Sequence, residues 1–131
     1  MADRKDILVI SDYEKSSSIM KKLLSAKGYK AEVLKSTSAP IERINDTEKK
    51  PDLIIIDKSV EGFNEILKET KKANIPVIAL MAKDETKNVA ATIGVIVIRK
   101  PITNNDEFLS FIKKEINKQE FASSRGGRGS V

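Results

Sequence analysis

Three charged side chains in this sequence stand where they could do metal or phosphoryl chemistry. Asp12, Asp57 and Lys100 each lie at the end of a short apolar run. Two neighbouring carboxylates stay ionised at neutral pH when a cation lies beside them, and Mg²⁺ prefers oxygen ligands. Such a cluster could bind Mg²⁺ weakly and hold a phosphoryl group on Asp57 as the nucleophile, with Lys100 neutralising its oxygens.

The residue types that are missing narrow the chemistry further. The 131 residues include no Cys and no His. Disulfides, thiolate metal sites, thiol nucleophiles, Ser-His-Asp triads and imidazole metal sites are therefore excluded. Any proton or phosphoryl chemistry depends on carboxylates, Lys and hydroxyl groups.

Composition and charge are those of one ordinary soluble domain. Apolar residues make up 40% and charged residues 33%, with a formal net charge of +5. No apolar run approaches the roughly 20 residues that cross a bilayer, and the charged N-terminus does not resemble a signal peptide. We expect a cytoplasmic protein with no membrane association. The mild positive charge does not by itself predict nucleic-acid binding.

Strand-like and helix-like segments alternate along the chain. Apolar runs predict strands at 6–11, 29–34, 53–57, 75–81 and 94–99. Helical spacing of apolar residues predicts helices at 16–27, from Ser38, and at 61–73, 84–92 and 104–119. Gly28 is predicted to end the first helix, Ser38 to cap the second with Pro40 in its first turn, and Asn104 or Asn105 to cap the last.

This order predicts an α/β fold: a doubly wound (βα)5 parallel sheet, flavodoxin-like, with strand order 2-1-3-4-5. Residues 1–119 are expected to form the domain. Residues 120–131 are small, polar and rich in Gly and Arg, which predicts a flexible tail.

Open parallel sheets bind ligands beyond the carboxyl ends of their strands, where the strand order reverses. In the order 2-1-3-4-5, Asp12 and Asp57 follow neighbouring strands, and Lys100 reaches in from the far side. We therefore predict that the three side chains meet in one pocket. The alternative for each of them is an ordinary charged strand end that meets water.

The chain resembles the receiver domain of response regulators (CheY-like) over about residues 5–118. The resemblance depends on the segments 7–12 (ILVISD), 51–57 (PDLIIID), 76–82 (PVIALMA) and 100–101 (KP). It implies that Asp57 is the phosphoacceptor and that Asp12 ligates Mg²⁺ together with Asp57 and the backbone carbonyl of Ser59. It also implies that Lys100 pairs with the phosphoryl oxygens.

Several residues depart from the family's pattern. Ser11 stands where the family has a first acid, and Met81 replaces the Thr or Ser whose hydroxyl contacts the phosphoryl group and signals activation. The loop 57–63 is short, and Lys58 within it could lean over the pocket as an internal cation. The switch aromatic of the fifth strand has no counterpart at Val97 or Ile98.

The resemblance implies a signal-transduction receiver of two-component type. Such a protein takes a phosphoryl group from a histidine kinase or phosphotransfer protein and docks a downstream protein target. It is no enzyme beyond accepting and losing that group. The departures leave an alternative open, a pseudo-receiver that acts as a phosphorylation-independent interaction module.

Two further hypotheses are weaker. A nucleotide- or flavin-binding protein would need a phosphate-binding loop after the first strand, where 12–18 contains serines but no glycine. Asp12 and Glu14 would repel a phosphate there, and Ser16, Ser17 and Ser18 are predicted to cap the first helix instead. The second hypothesis is nucleic-acid binding through the Arg-Gly tail. It is weak because no aromatic residues are interleaved with the arginines and glycines of the tail.

Overall fold

Five parallel strands form the sheet, in the order β2-β1-β3-β4-β5. The computed structural model describes residues 5–81, 96–99 and 104–127. The predicted fold class and strand order are confirmed. The strands are β1 (Asp6–Ile10), β2 (Lys30–Leu34), β3 (Leu53–Asp57), β4 (Val77–Met81) and β5 (Ile96–Arg99).

The described helices pack on both faces of this sheet. They are α1 (Glu14–Ala26), α2 (Pro40–Ile44), α3 (Phe63–Lys72) and α4 (Asn105–Gly127), with 3₁₀ turns at Ser36–Ser38 and Thr47–Lys49. The helix predicted at 84–92 lies outside the described residues. None of the helices in the described ranges combines the length and the apolar character needed to cross a membrane.

The last helix is longer than the apolar pattern predicted. It continues past Gln119 to Gly127, so it includes part of the segment whose composition predicted a tail. Alanine and arginine favour helix even without an apolar stripe. A tail separate from the domain stays a prediction.

Two predicted helix ends are confirmed in detail. Gly28 has a φ of +89°, and its N–H donates to the Ser25 carbonyl while the Tyr29 N–H donates to the Leu24 carbonyl, both at 3.1 Å. This is the Schellman arrangement, in which glycine accepts the left-handed conformation without strain. At α4, the Asn104 side chain accepts a hydrogen bond from the Glu107 N–H at 3.0 Å.

The predicted serine caps are wrong. The α1 helix begins at Glu14 after Tyr13, so Ser17 lies inside it and donates its hydroxyl to the Tyr13 carbonyl at 2.5 Å. Serine hydroxyls inside helices return to the preceding turn in this way. Ser38 belongs to a 3₁₀ turn, and Ala39, at a φ of +53°, precedes α2 instead.

The core has two halves because alternate strand residues point to opposite faces of the sheet. On one face, Ile7 and Val9 belong to a cluster with α1 and α4 side chains that include Leu24, Phe108 and Ile112. On the other, Leu8 and Ile10 belong to a cluster with α2 and α3 side chains: Ile44, Phe63, Ile66 and Leu67. All five residues of β3 are buried, so the central strand holds its end in a fixed place.

Candidate functional site

Asp57 ends the central strand of the sheet, paired in register with Leu80 of β4. Its side chain is buried, with 4% of the residue surface exposed. The Oδ1 atom accepts two hydrogen bonds from Ser59, one from the backbone N–H at 3.0 Å and one from the hydroxyl at 2.7 Å. The carboxylate is therefore held in one orientation by a residue of its own loop.

The loop after β3 turns tightly around this carboxylate. The Lys58 N–H donates to the Leu80 carbonyl at 2.9 Å, which extends the ladder to β4 by one residue. The Val60 N–H then donates to the Asp57 carbonyl at 3.1 Å. An Asp side chain that accepts the N–H two residues on is the Asx turn, and it brings Ser59 onto Asp57.

Lys58 has an aromatic neighbour at the start of α3. Its Nζ atom lies 5.1 Å from the centre of the Phe63 ring, within the range of a cation–π contact. The role of Lys58 as an internal cation at the acid pocket stays a prediction. The amine lies over the ring of a buried residue that begins α3.

Asp12 lies on an exposed loop after β1 and has a different serine partner. Its Oδ1 accepts the Ser36 N–H at 2.7 Å, and its Oδ2 accepts the Ser36 hydroxyl at 2.8 Å. Ser36 follows β2, which flanks β1 on the side away from β3. The two predicted site acids thus follow neighbouring strands, as expected, and each carboxylate is held by its own serine.

Ser11, which stands in place of a first acid, has a structural role. It is buried, its N–H donates to the Leu34 carbonyl at 3.0 Å, and its hydroxyl accepts the Tyr13 N–H at 3.2 Å. The residue therefore shapes the turn into α1. It contributes no charge to the carboxyl edge of the sheet.

Met81 ends β4 with no exposed surface. It belongs to the apolar cluster on the α2–α3 face, which also contains Ile56, Val60 and Phe63. A thioether in this place has no hydroxyl to offer a ligand. The position that the resemblance assigns to a hydroxyl switch is thus filled by a core side chain.

Lys100 and Pro101 lie outside the described residues. The register pairs Arg99, the last residue of β5, with Met81, so the chain leaves the sheet at the same edge as Asp57. The approach of the Lys100 amine to Asp57 stays a prediction. On β5 itself, Val97 is 40% exposed in the stretch where the family places its switch aromatic.

The candidate metal ligands are oxygen atoms, which are the ligand type that Mg²⁺ prefers. They are the carboxylates of Asp12 and Asp57 and the backbone carbonyl of Ser59, all hard oxygen ligands. Within residues 5–81, 96–99 and 104–127, no group of three or more acidic, His or Cys side chains is placed to hold a metal ion. A cation at Asp12 would also have to compete with the hydrogen bonds from Ser36.

A groove of about 460 Å³ lies elsewhere, between the end of α1 and α4. Its lining includes Lys27, Tyr29, Leu109 and Lys113, so it opens near the amino ends of β1 and β2, opposite the predicted site. Burial raises the pKa of the Tyr29 phenol above its usual value of 10.0, because desolvation disfavours the phenolate.

Similarity to known proteins was found through structure alone. No family model and no curated protein matches the sequence. Solved response regulator receiver domains match nearly the whole chain. One from Clostridium thermocellum has a TM-score of 0.78 and 25% identity, and the match covers 90% of this chain and 98% of that one.

Two further structures agree. A receiver-modulated diguanylate cyclase from Pelobacter carbinolicus has a TM-score of 0.74 and 27% identity, with coverage of 92% of this chain and 98% of that one. A CheY-like receiver domain protein from Methanospirillum hungatei has a TM-score of 0.79 and 22% identity, with coverage of 92% and 99%. The predicted resemblance to CheY-like receiver domains is confirmed.

Proposed function

We propose that this chain, whose fold and structural neighbours are those of response regulator receiver domains, accepts a phosphoryl group on Asp57. The observation that supports this most is the fixed carboxylate at the end of the central strand, with Oδ1 held by Ser59. An oriented carboxylate at the carboxyl edge of a parallel sheet stands where such folds carry their ligands. Signalling of the two-component type is the function that these neighbours support.

The chemistry assigned to Asp57 is nucleophilic substitution at phosphorus. We assign the attack to an oxygen of the Asp57 carboxylate. A new P–O bond forms, the bond from phosphorus to the donor's oxygen or nitrogen breaks, and the leaving group keeps that electron pair. The product is an acyl phosphate, which water hydrolyses back to the carboxylate and inorganic phosphate.

Charge on the transferred group needs neutralising, and the chain has residues for it. Asp12, Asp57 and the Ser59 carbonyl are the residues that would hold Mg²⁺. The bound ion would supply positive charge next to the phosphoryl oxygens. We assign a second positive charge to the Lys100 amine. The weak point of this set is Asp12, whose two oxygens accept hydrogen bonds from Ser36.

The partners follow from this chemistry. A histidine kinase or phosphotransfer protein would supply the phosphoryl group, and a downstream protein would bind the domain. A cytoplasmic location, where such donors meet a receiver, remains our expectation. No enzymatic turnover is proposed beyond acceptance and hydrolysis of the phosphoryl group.

The test uses the full chain with acetyl phosphate and MgCl₂, followed by intact mass spectrometry. We expect the wild-type protein to gain the mass of one phosphoryl group and Asp57→Asn to gain none. Glu61→Gln is the matched control, because Glu61 is an exposed acid of the same loop, and it should be labelled like wild type. An unlabelled wild-type chain, or equal labelling of Asp57→Asn, would overturn the proposal.

A second candidate, a pseudo-receiver that docks a partner without phosphorylation, has specific support. Met81 fills the place of the switch hydroxyl with a core side chain, and Asp12 is engaged by Ser36. The labelling experiment separates the two candidates. An unlabelled, folded wild-type chain would favour the second.

A further inference from the structure

The loop after β1 is tied to the segment after β2 by a row of contacts. The Ser11 N–H donates to the Leu34 carbonyl at 3.0 Å. Beyond it, Ser36 donates two hydrogen bonds to the Asp12 carboxylate. Farther out, Lys35 Nζ lies 3.9 Å from the Glu14 carboxylate. We call this row, from Ser11 to Glu14 on one side and Leu34 to Ser36 on the other, the β1–β2 seam.

The register of the two strands explains why Asp12 meets Ser36. Ile10 pairs with Leu34, so Asp12 and Ser36 each lie two residues beyond that pair. The seam therefore continues the parallel ladder past the ends of the strands. The β3 loop is tied the other way, because the Lys58 N–H donates to the Leu80 carbonyl of β4. The loop of Asp12 is thus hydrogen-bonded to the segment after β2, whereas the loop of Asp57 is hydrogen-bonded to β4, on the opposite side.

We propose that Ser36 is a positioning residue that competes with divalent cations for the Asp12 carboxylate. The idea deepens the function proposed above, because the cation concerned is the one that would serve Asp57. Each Asp12 oxygen already accepts a hydrogen bond from Ser36, which occupies a lone pair and makes that oxygen a weaker ligand for a cation. The contact thus weakens cation binding in the resting protein, and a bound cation weakens the hydrogen bonds between Asp12 and the Ser36–Ser38 turn that leads into α2.

The two hydrogen bonds can be separated by mutation. Ser36→Ala removes the hydroxyl donor to Oδ2 and keeps the backbone donor to Oδ1, so the local fold is preserved. Ser36→Thr keeps both donors. One hydrogen bond to a charged, exposed group corresponds to about a fivefold change in an equilibrium constant. We expect Ser36→Ala to bind Mg²⁺ about fivefold more tightly than wild type, and Ser36→Thr to match wild type.

The experiment is an MgCl₂ titration of the ¹⁵N-labelled full chain, followed by the backbone amide signals of residues 11–13, 36 and 57–59. Thr37→Ala is the matched control, since Thr37 is an exposed neighbour in the same turn, and it should titrate like wild type. Asp12→Asn in the Ser36→Ala background should abolish the gain. In Ser36→Ala, the backbone amide signals of positions 12 and 36 should shift together.

Equal Mg²⁺ affinity of wild type and Ser36→Ala would overturn the proposal. It would also be overturned if the amide signals of neither protein shifted to a plateau as MgCl₂ was added. A gain that survives Asp12→Asn would also overturn it. The titration contains no phosphoryl donor, so its outcome is separate from the labelling of Asp57. If Asp57 is not labelled but Ser36→Ala gains Mg²⁺ affinity, only the acceptor role of Asp57 is rejected. If Asp57 is labelled but Ser36→Ala gains no Mg²⁺ affinity, only the role of Ser36 is rejected.

Discussion

Ser59 places both of its hydrogen-bond donors on a single oxygen of Asp57, the N–H at 3.0 Å and the hydroxyl at 2.7 Å. The Asp57 carboxylate is therefore oriented by hydrogen bonds from its own loop. Charge-assisted bonds of this kind are stronger than neutral ones. Ser59 thus acts on Asp57 through its side chain, besides the carbonyl that the resemblance assigns to metal binding.

Removing the Ser59 hydroxyl should weaken the fold slightly. Ser59→Ala keeps the backbone bond to Asp57 and loses the 2.7 Å bond, so we expect the free energy of unfolding to fall by about 1 kcal/mol. Urea denaturation measures this change, and Ser59→Thr should restore most of the loss. Equal stability of wild type and Ser59→Ala would show that solvent replaces the hydroxyl without cost.

Returning the switch position to a hydroxyl residue should be costly. Met81 has no exposed surface, so Met81→Thr leaves a cavity and buries a hydroxyl, and we expect a loss of about 2–5 kcal/mol in unfolding free energy. Met81→Leu keeps the volume and should cost less than about 1.5 kcal/mol. Urea denaturation of the two variants compares them directly. A Thr variant as stable as the Leu variant would mean that the strand end is not packed as described.

Alkaline pH should destabilise the protein partly through Tyr29. Burial raises the pKa of its phenol above 10.0, so the native state holds this proton more tightly than the unfolded state does. The associated stability is complete below pH 10.0 and is lost as the pH rises through the native pKa. Tyr29→Phe removes the ionisation, so its unfolding free energy should fall less steeply than that of wild type above that pH.

The measurement for Tyr29 is urea denaturation of both proteins at several pH values on either side of 10.0. Below that pH, the difference in unfolding free energy between them should be constant. Above it, the difference should shift in favour of Tyr29→Phe. A difference that stays constant across the whole range would contradict the raised pKa.

The elements that the sequence predicted well are those set by local patterns. Continuous apolar runs such as residues 53–56 of β3 are typical of strands covered on both faces, and the strand order follows from the rules for parallel α/β sheets. Gly28 and Asn104 lie at the helix ends where backbone geometry demands such residues. The prediction of serine caps for α1 was wrong because the helix starts before the serines, at Glu14.

The partner of Asp12 could not be predicted from the residue types alone. Its contact with Ser36 depends on the register that pairs Ile10 with Leu34, and an edge strand such as β2, with its exposed positions, sets register weakly in the sequence. A signal was nevertheless present. Ser36 follows the strand next to β1 at the carboxyl edge of the sheet, where the same rule that selected Asp12 and Asp57 applies.

The central claim is that Asp57 accepts a phosphoryl group, and reductive trapping tests it most directly. Acetyl phosphate and MgCl₂ are added to the full chain, borohydride then reduces any acyl phosphate, and peptide mass spectrometry locates the resulting homoserine. We predict homoserine at position 57 in the wild-type protein and none in Asp57→Asn. Homoserine at Asp12 or another aspartate instead, or at no position in the folded wild-type chain, would contradict the account.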